Sequence, residues 1–448
     1  MKRFLTLLLF ISVCIASIAQ NKWLSLPNKG FYKGSWTNDS LYRLEDIYFT
    51  DTNTGYAVAL PGMLLKTTNG GISWTPKNDT LNPNTRSSFR SIEFLDGGKY
   101  GIAGSLGLNG NVLITKDSGE TWINIDSLIP DSSRKMKRNI CGLSHHGDTF
   151  FGVGYWGSDT GRFYKSTDKG ASWTLTYVDT NVIRNLVDVV FTSADTGFIT
   201  GAYKHWSAVA KTTDGGTTWS RVFVDSIIGG RIWKIQAMGN YMFGSIEPRF
   251  FKDTVCMIRS EDYGNTWKII AAGSIKSTGT SAIGTQGVGF VTPAKGWIGG
   301  YYKGIFETVD SGKTWTYLNF GNDVNRIFVV DSNHVFAGGI LPYKYGSGIY
   351  YTGVDYAATS LQVMNRVVVY PNPAKDVVQI KIDLQMGTNV LLEVYNADSK
   401  QIYRIANTYL EKGKYGFTWD CSNMPAGNYI VWFDNNEIPQ VKRLVLSR

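Results

Sequence analysis

The sequence predicts an all-β protein: a seven-bladed β-propeller followed by a small C-terminal β-sandwich. Three observations carry this. An eight-residue box, Ser/Thr-x-Asp-x-Gly-x-Ser/Thr-Trp, recurs six times at a nearly constant period. A two-strand pattern, an apolar run followed by a turn and a Gly-rich run, precedes each box and occurs a seventh time without one. After Tyr356 the repeat stops, and short alternating strands of another kind begin.

The boxes are TTNGGISW (67–74), TKDSGETW (115–122), STDKGASW (166–173), TTDGGTTW (212–219), SEDYGNTW (260–267) and TVDSGKTW (308–315). Only Asn69 replaces the Asp. Their tryptophans stand 46 to 51 residues apart, the length of four short strands in one blade. The preceding hairpins read LEDIYFTDTNTGYAVA (44–59), SIEFLDGGKYGIAG (91–104), ICGLSHHGDTFFGVG (140–154), LVDVVFTSADTGFITG (186–201), IWKIQAMGNYMFGS (232–245), GVGFVTPAKGWIGG (287–300) and RIFVVDSNHVFAGG (326–339). The seventh blade thus lacks a Trp-led outer strand. Lys22-Trp23-Leu24-Ser25 matches what is missing, and its pairing there would leave no open sheet edge.

Each box is expected to be structural. Asp and Ser/Thr side chains close turns on backbone N–H groups, Gly supplies positive φ, and Trp packs between sheets. Asp117, Asp168, Asp214, Asp262 and Asp310 are therefore read as turn residues rather than as metal ligands or catalytic groups.

The boundaries follow. Residues 1–19 read as a signal peptide, with Lys2 and Arg3, an apolar run from Phe4 to Ile15 too short to span a bilayer, and a small-residue site at Ser17-Ile18-Ala19. The propeller is placed at 20–356, a linker at 357–366 and the C-terminal module at 367–448. No other run reaches transmembrane length. The formal charge is +9, of which 20–360 carries only +5, so nucleic acid is not an expected partner. Three cysteines follow the signal, an odd number that argues against a disulfide framework. No His/Cys spacing resembles a metal site, and no cofactor is implied.

The boxes resemble the Asp-box (BNR) repeats of sialidase-like propellers, and the inner hairpins resemble those of the photosystem II stability/assembly factor family. The resemblance covers roughly 23–355 and implies the fold more than any activity. The C-terminal module resembles the type A sorting domain of the type IX secretion system. That resemblance rests on Tyr370-Pro371-Asn372-Pro373, Val394-Tyr395-Asn396, Pro425-Ala426-Gly427-Asn428-Tyr429 and the basic-apolar end. Asp398-Ser399-Lys400 departs from it, where the family usually has Gly before Lys. It implies type IX secretion machinery as a partner through 367–448, passage across the outer membrane of a Gram-negative bacterium, and a secreted or surface-attached product.

In a four-stranded antiparallel blade, the loop entering the inner strand and the loop leaving the second strand share one face. Arg43, Arg90, Arg138, Arg184, Arg231 and Arg326 each enter an inner strand. They are expected at one register, around one mouth of the central channel. The alternative is local pairing of each arginine with an acid, for which Asp79, Asp126, Asp179 and Asp225 are available in the same connections. Tyr155, Trp156, Tyr203, Trp206, Tyr301 and Tyr302 belong to loops of the same face. Aromatics beside guanidinium groups suit an anionic glycan or protein ligand. The competing reading is a glycoside hydrolase of the Asp-box type, for which Glu247 and Asp159 are the acids in those loops.

Overall fold

The computed structural model describes residues 22–26, 43–59, 62–77, 88–106, 112–125, 139–156, 160–249, 253–275, 284–346, 366–384, 388–397, 400–434 and 440–447. The expected signal peptide at 1–19, Arg138 and Asp159 lie outside them. So does the expected linker, except Arg366, which already opens a strand.

Seven four-stranded antiparallel sheets follow one another. Blade one is β2 (Leu44–Phe49), β3 (Gly55–Ala59), β4 (Met63–Thr67) and β5 (Thr75–Pro76). Blade two is β6 (Ser88–Phe94), β7 (Gly101–Leu106), β8 (Leu113–Thr115) and β9 (Ile123–Asn124). Blade three is β10 (Gly142–His146), β11 (Thr149–Trp156), β12 (Thr160–Ser166) and β13 (Thr174–Val178). Blade four is β14 (Arg184–Phe191), β15 (Gly197–Tyr203), β16 (Trp206–Thr212) and β17 (Ser220–Val224). Blade five is β18 (Arg231–Met238), β19 (Tyr241–Glu247), β20 (Thr254–Ser260) and β21 (Lys268–Ser274). Blade six is β22 (Thr285–Phe290), β23 (Gly296–Gly300), β24 (Lys303–Thr308) and β25 (Thr316–Asn322). Blade seven is β26 (Arg326–Asp331), β27 (His334–Gly338) and β28 (Pro342–Gly346), completed on its outside by β1 (Lys22–Ser25). Each inner strand packs on the next, and β26 packs back on β2, which closes the ring. The expected closure is present, with Trp23 opposite Tyr345 in the β1–β28 ladder. The described residues contain no helix.

Aromatic residues hold the blades together. At the end of the inner strands Phe49 stacks on Phe336, Phe151 on Phe191 and Phe243 on Phe290, with centroids 3.5, 3.6 and 3.8 Å apart. Box tryptophans Trp74, Trp122 and Trp219 meet Phe49, Phe94 and Phe191 edge-on. The Gly that opens several second strands has a packing reason. A Cβ at Gly197 would lie 2.6 Å from the Phe191 ring.

The C-terminal module is a two-sheet sandwich. One sheet runs β29 (Arg366–Tyr370), β30 (Val377–Leu384), β33 (Gly413–Asp420). The other runs β32 (Gln401–Leu410), β31 (Thr388–Asn396), β34 (Gly427–Asp434), β35 (Gln440–Leu446). Its own core includes Val378, Ile380, Leu392, Val394, Trp419, Phe433 and Leu444.

Candidate functional site

The ladders confirm which loops share a face. Arg231 at the start of β18 lies opposite Glu247 at the end of β19, Arg184 opposite Ala202, and Thr285 opposite Gly300.

The expected single register of arginines does not form. β-Bulges interrupt the inner hairpin between Leu44 and Asp46, Phe89 and Ser91, Arg184 and Asp188, Ile232 and Ile235, and Thr285 and Gly287. In the blades with a described entry arginine the ladders set it at different levels of the hairpin: Arg231 lies opposite Glu247, Arg184 opposite Ala202 and Arg326 opposite Gly338, while Arg90 falls within a bulge. Arg326 reaches Asp46, Nε to Oδ1 3.1 Å. Arg43 precedes that same aspartate by three residues, and Arg231 precedes Lys234 by three. The alternative of local pairing holds for Arg43, Arg90 and Arg326, with acids on β2 rather than in the connections. Arg43 forks onto Glu45, Nη2 to Oε1 2.9 Å, and its Nη1 donates to Gln286 Oε1 at 3.1 Å. Arg90 donates to the other oxygen of Glu45. Arg184 is half-buried at the β14 terminus. Of the acids expected as partners, Asp225 instead caps its own turn, accepting from the backbone N–H groups of Ile227, Ile228 and Gly229.

Below the mouth the channel is crossed by a charge network. Lys234 Nζ stands 3.6 Å from Asp46 Oδ2 and 3.8 Å from Asp188 Oδ1, and the three side chains are 4 to 5% exposed. The two aspartates also clasp neighbouring blades: Asp46 Oδ2 accepts from Ile92 N at 3.2 Å, and Asp188 Oδ2 from Ile235 N at 2.9 Å. Burial pushes the Asp188 carboxyl above its ordinary value, against the pull of Lys234 and Arg326. Glu45, Asp46, Asp188 and Lys234 were not among the sequence-based candidates. Their signal is a charge inside an otherwise apolar inner strand, in LEDIYF, LVDVVF and IWKIQA.

Arg231 differs from the paired arginines. It is half-buried, its guanidinium lies 5.7 Å from the Tyr155 ring centroid, and it makes no hydrogen bond or ion pair among the described residues. Tyr155 comes from blade three, so the two side chains meet across the channel mouth. Burial pushes the Glu247 carboxyl up, offset in part by Arg231, Gln286, Arg43 and Arg90. Tyr301, 43% exposed, stacks its ring on Arg43 at 4.1 Å. Blades one, two, three, five and six thus contribute to one polar, aromatic patch.

The other expected aromatics are placed differently. Tyr302 is buried in the core between blades five and six. Tyr203 packs under Arg221 at 3.8 Å and against the core between blades three and four. Trp206 is half-buried at the start of β16. Trp156 ends β11.

The boxes lie on the other face and close on themselves. In the second, Thr115 Oγ1 donates to Asp117 Oδ1 at 2.8 Å, Gly119 N donates to Thr115 Oγ1 at 2.8 Å, and Thr121 N and Oγ1 donate to the two oxygens of Asp117 at 2.9 and 2.6 Å. Trp122 Nε1 donates to Gly119 O. Asp168, Asp214, Asp262 and Asp310 repeat this arrangement. Asn69 keeps it, accepting from Thr67 Oγ1 and donating to Ser73 Oγ. Among the described residues no group of three or more His, Cys, Asp or Glu could hold a metal ion. Cys141, Cys256 and Cys421 are buried and free, and burial pushes the first two thiols up to about 11 and about 12.

Residues 368–447 match the secretion system C-terminal sorting domain family, and residues 35–138 match the family of photosynthesis system II assembly factor YCF48. The photosystem II assembly lipoprotein Ycf48 of Nostoc sp. (strain PCC 7120) is 27% identical over 337 residues, which cover 70% of this chain and 83% of that protein. Among solved structures, YCF48 bound to D1 peptide is similar with a TM-score of 0.53 at 15% identity, covering 73% of this chain and 95% of that one. The GH74 xyloglucanase of Xanthomonas campestris is similar with a TM-score of 0.53 at 12% identity, covering 94% and 75%. The two structural likenesses are likenesses of fold. Both resemblances drawn from the boxes and from the Tyr-Pro-Asn-Pro module hold.

Proposed function

We propose that this chain, a YCF48-like Asp-box propeller with a secretion sorting domain at its C-terminus, is exported and binds an acidic segment of a partner protein at the Arg231 mouth. One observation carries the reading. Arg43, Arg90 and Arg326 are engaged by Glu45 and Asp46, whereas Arg231 stands beside Tyr155 with its fork uncommitted among the described residues. A guanidinium fork takes a carboxylate in two parallel hydrogen bonds, and the adjoining Tyr155 and Tyr301 rings offer apolar surface to the chain that bears it. That a similar propeller is known bound to a peptide supports a protein ligand over a glycan. The sorting domain supports delivery to the cell surface or beyond.

The test is binding of the mature chain to an array of acidic and neutral peptides. Arg231→Ala should weaken the acidic binders about tenfold or more, as loss of one charge-assisted contact of roughly 1.5–3 kcal/mol requires. Their affinity should also fall as salt rises. Equal binding by wild type and Arg231→Ala would reject the site.

The glycosidase reading is favoured by the raised carboxyl of Glu247, a property of general acids. Release of reducing ends from xyloglucan by the mature chain, abolished in Glu247→Gln, would establish it in place of the binding reading.

A further inference from the structure

The box-side rim of the channel holds a cluster that neither the boxes nor the Arg231 mouth uses. His145 stands one residue before the end of β10 in blade three, and Glu93 one residue before the end of β6 in blade two. His145 Nδ1 lies 2.8 Å from Glu93 Oε1, and His145 Nε2 lies 3.3 Å from Oδ1 of Asp96, which follows β6. The His145 and Glu93 side chains are 17% and 10% exposed, whereas Asp96 faces solvent. One imidazole therefore bridges two carboxyl groups of the neighbouring blade.

The bridge stands at a seam built differently from its neighbours. In blades one, three, four and five the residue before the box is a cation, Lys66, Lys165, Lys211 or Arg259, and it bonds the box turn of the next blade. Blade two has Ile114 at that position, packed with Phe150, Tyr164 and Trp173 of blade three. A polar tie crosses this seam in the opposite direction, from His145 of blade three to Glu93 and Asp96 of blade two.

The tie depends on a proton. Ionised carboxylates only accept, and a neutral imidazole has a single N–H. Between two carboxylates, both contacts of His145 are hydrogen bonds only when the ring is imidazolium. Burial pulls His145 toward its neutral form, but the bonds to Glu93 and Asp96 outweigh it and hold the ring above the ordinary histidine value. Burial pushes the Glu93 carboxyl up, against the pull of His145 and Arg326. The other charges around the ring are engaged elsewhere. β6 adds Arg90, bonded to Glu45, and β11 carries none. β14, which packs on β10, has Arg184 at its start and Asp188 beside Lys234. In the hairpin of His145 itself, Asp148 pairs with Lys169 at 3.2 Å and His146 is exposed. Beyond Glu93, Arg326 of blade seven pairs with Asp46 of blade one, and the Tyr48 hydroxyl donates to Phe94 O.

We infer that His145 is a protonation switch on the seam between blades two and three: as imidazolium it ties the blades, and as neutral imidazole it releases one carboxylate and loosens them. Linkage gives the sign. A histidine held above its ordinary value stabilises the fold fully below that value, about 6.5, and the contribution is lost as pH rises through the folded value. Glu93, also raised, acts in the same direction, because its ionisation costs the folded chain more than the unfolded one. The seam is therefore tight in mildly acidic surroundings and looser in alkaline ones.

The experiment uses the mature chain, with the His145 ring titrated by NMR and amide exchange followed across the same pH range. The wild-type midpoint of His145 should lie above the ordinary histidine value. Glu93→Gln should lower it. Asp96 is exposed, so Asp96→Asn keeps the test open if the buried variant fails to fold, and it should lower the midpoint as well. Exchange, corrected for its intrinsic pH dependence, locates the effect. The Ile140 N–H crosses the same seam to Ser105 O at 3.0 Å, and it should lose about tenfold in protection as His145 deprotonates, the worth of one charge-assisted hydrogen bond. The Leu44 N–H crosses from blade one to Gly339 O of blade seven at 2.8 Å, and its protection should hold. In His145→Gln the protection of Ile140 should not vary with pH. A wild-type midpoint at or below the ordinary value, or equal changes at Ile140 and Leu44, overturns the switch and leaves His145 a fixed packing residue.

Discussion

Lys66 of blade one donates its ammonium to the carbonyl of Ser118 in the box turn of blade two, at 2.6 Å. The same clasp recurs around the ring: Lys165 donates to Gly215 O, Lys211 to Tyr263 O, and Arg259 to Ser311 O. Each cation stands just before the first Ser or Thr of its own box and reaches the box of the following blade. Both faces of the ring are therefore tied blade to blade, by these clasps on the box side and by the aspartates of the channel.

Lys66→Met should lower stability by about 1–3 kcal/mol, because it removes the hydrogen bonds of a buried ammonium to Ser118 O and Glu120 Oε1 and leaves Ser118 O to Tyr56 alone. Chemical denaturation of the mature chain measures it. A change within error would mean that Tyr56 alone satisfies Ser118.

Acid should loosen the boxes. Hydrogen bonds from Thr218 hold the Asp214 carboxyl down at about 2, and those from Thr266 hold Asp262 there as well. A folded value below the unfolded one stabilises the fold fully above the ordinary carboxylate range, and that contribution is lost as pH falls toward 2. Asp214→Asn should melt close to wild type, since Asn69 already does this work in the first box, and should remove part of the acid sensitivity. Asp214→Ala should melt lower at neutral pH. Thermal melts between pH 7 and 2 separate the three.

Trp23→Ala should cost about 3–5 kcal/mol. The indole is buried between Trp297, Phe320 and Tyr345, and it belongs to the strand that completes blade seven. Removing residues 20–26 exposes the β28 edge, and the truncated chain should associate or aggregate in gel filtration.

Arg326→Met should cost about 3–5 kcal/mol, because it leaves Asp46 buried with only the more distant Lys234. Arg326→Lys should recover part of this. Equilibrium unfolding of the two variants gives the comparison.

In the C-terminal sandwich Asn372 pins the last strand: its Nδ2 donates to Arg443 O at 2.7 Å, and its Oδ1 accepts from Val445 N at 2.9 Å. Asn372→Ala in the full chain should speed amide exchange along β35 about tenfold, the loss expected for roughly 1.5 kcal/mol. Exchange rates in the propeller should not change.

Blade number, strand order within each blade, the closure by Trp23 and the sorting module were all readable from residue order. A box that builds one turn does so wherever it recurs, because its hydrogen bonds run between residues two to four apart. Local chemistry repeated at a fixed period determines a repeat fold. The site was readable only in part. Of the expected residues, Arg231, Tyr155 and Tyr301 gather with Glu247 at one mouth of the channel, whereas Tyr203 and Tyr302 pack against cores between blades. The sequence put six arginines at one level, where the ladders set Arg184, Arg231 and Arg326 at different levels of their hairpins. It also passed over Glu45, Asp46 and Asp188, whose partners lie on other blades. Arg43 meets Gln286 across 243 residues, and Asn325 meets Glu45 across 280. Such pairings exist only once the ring has closed, since closure alone brings the first and last blades to one axis; which arginines pair with the acids of β2 was therefore decided by the tertiary structure.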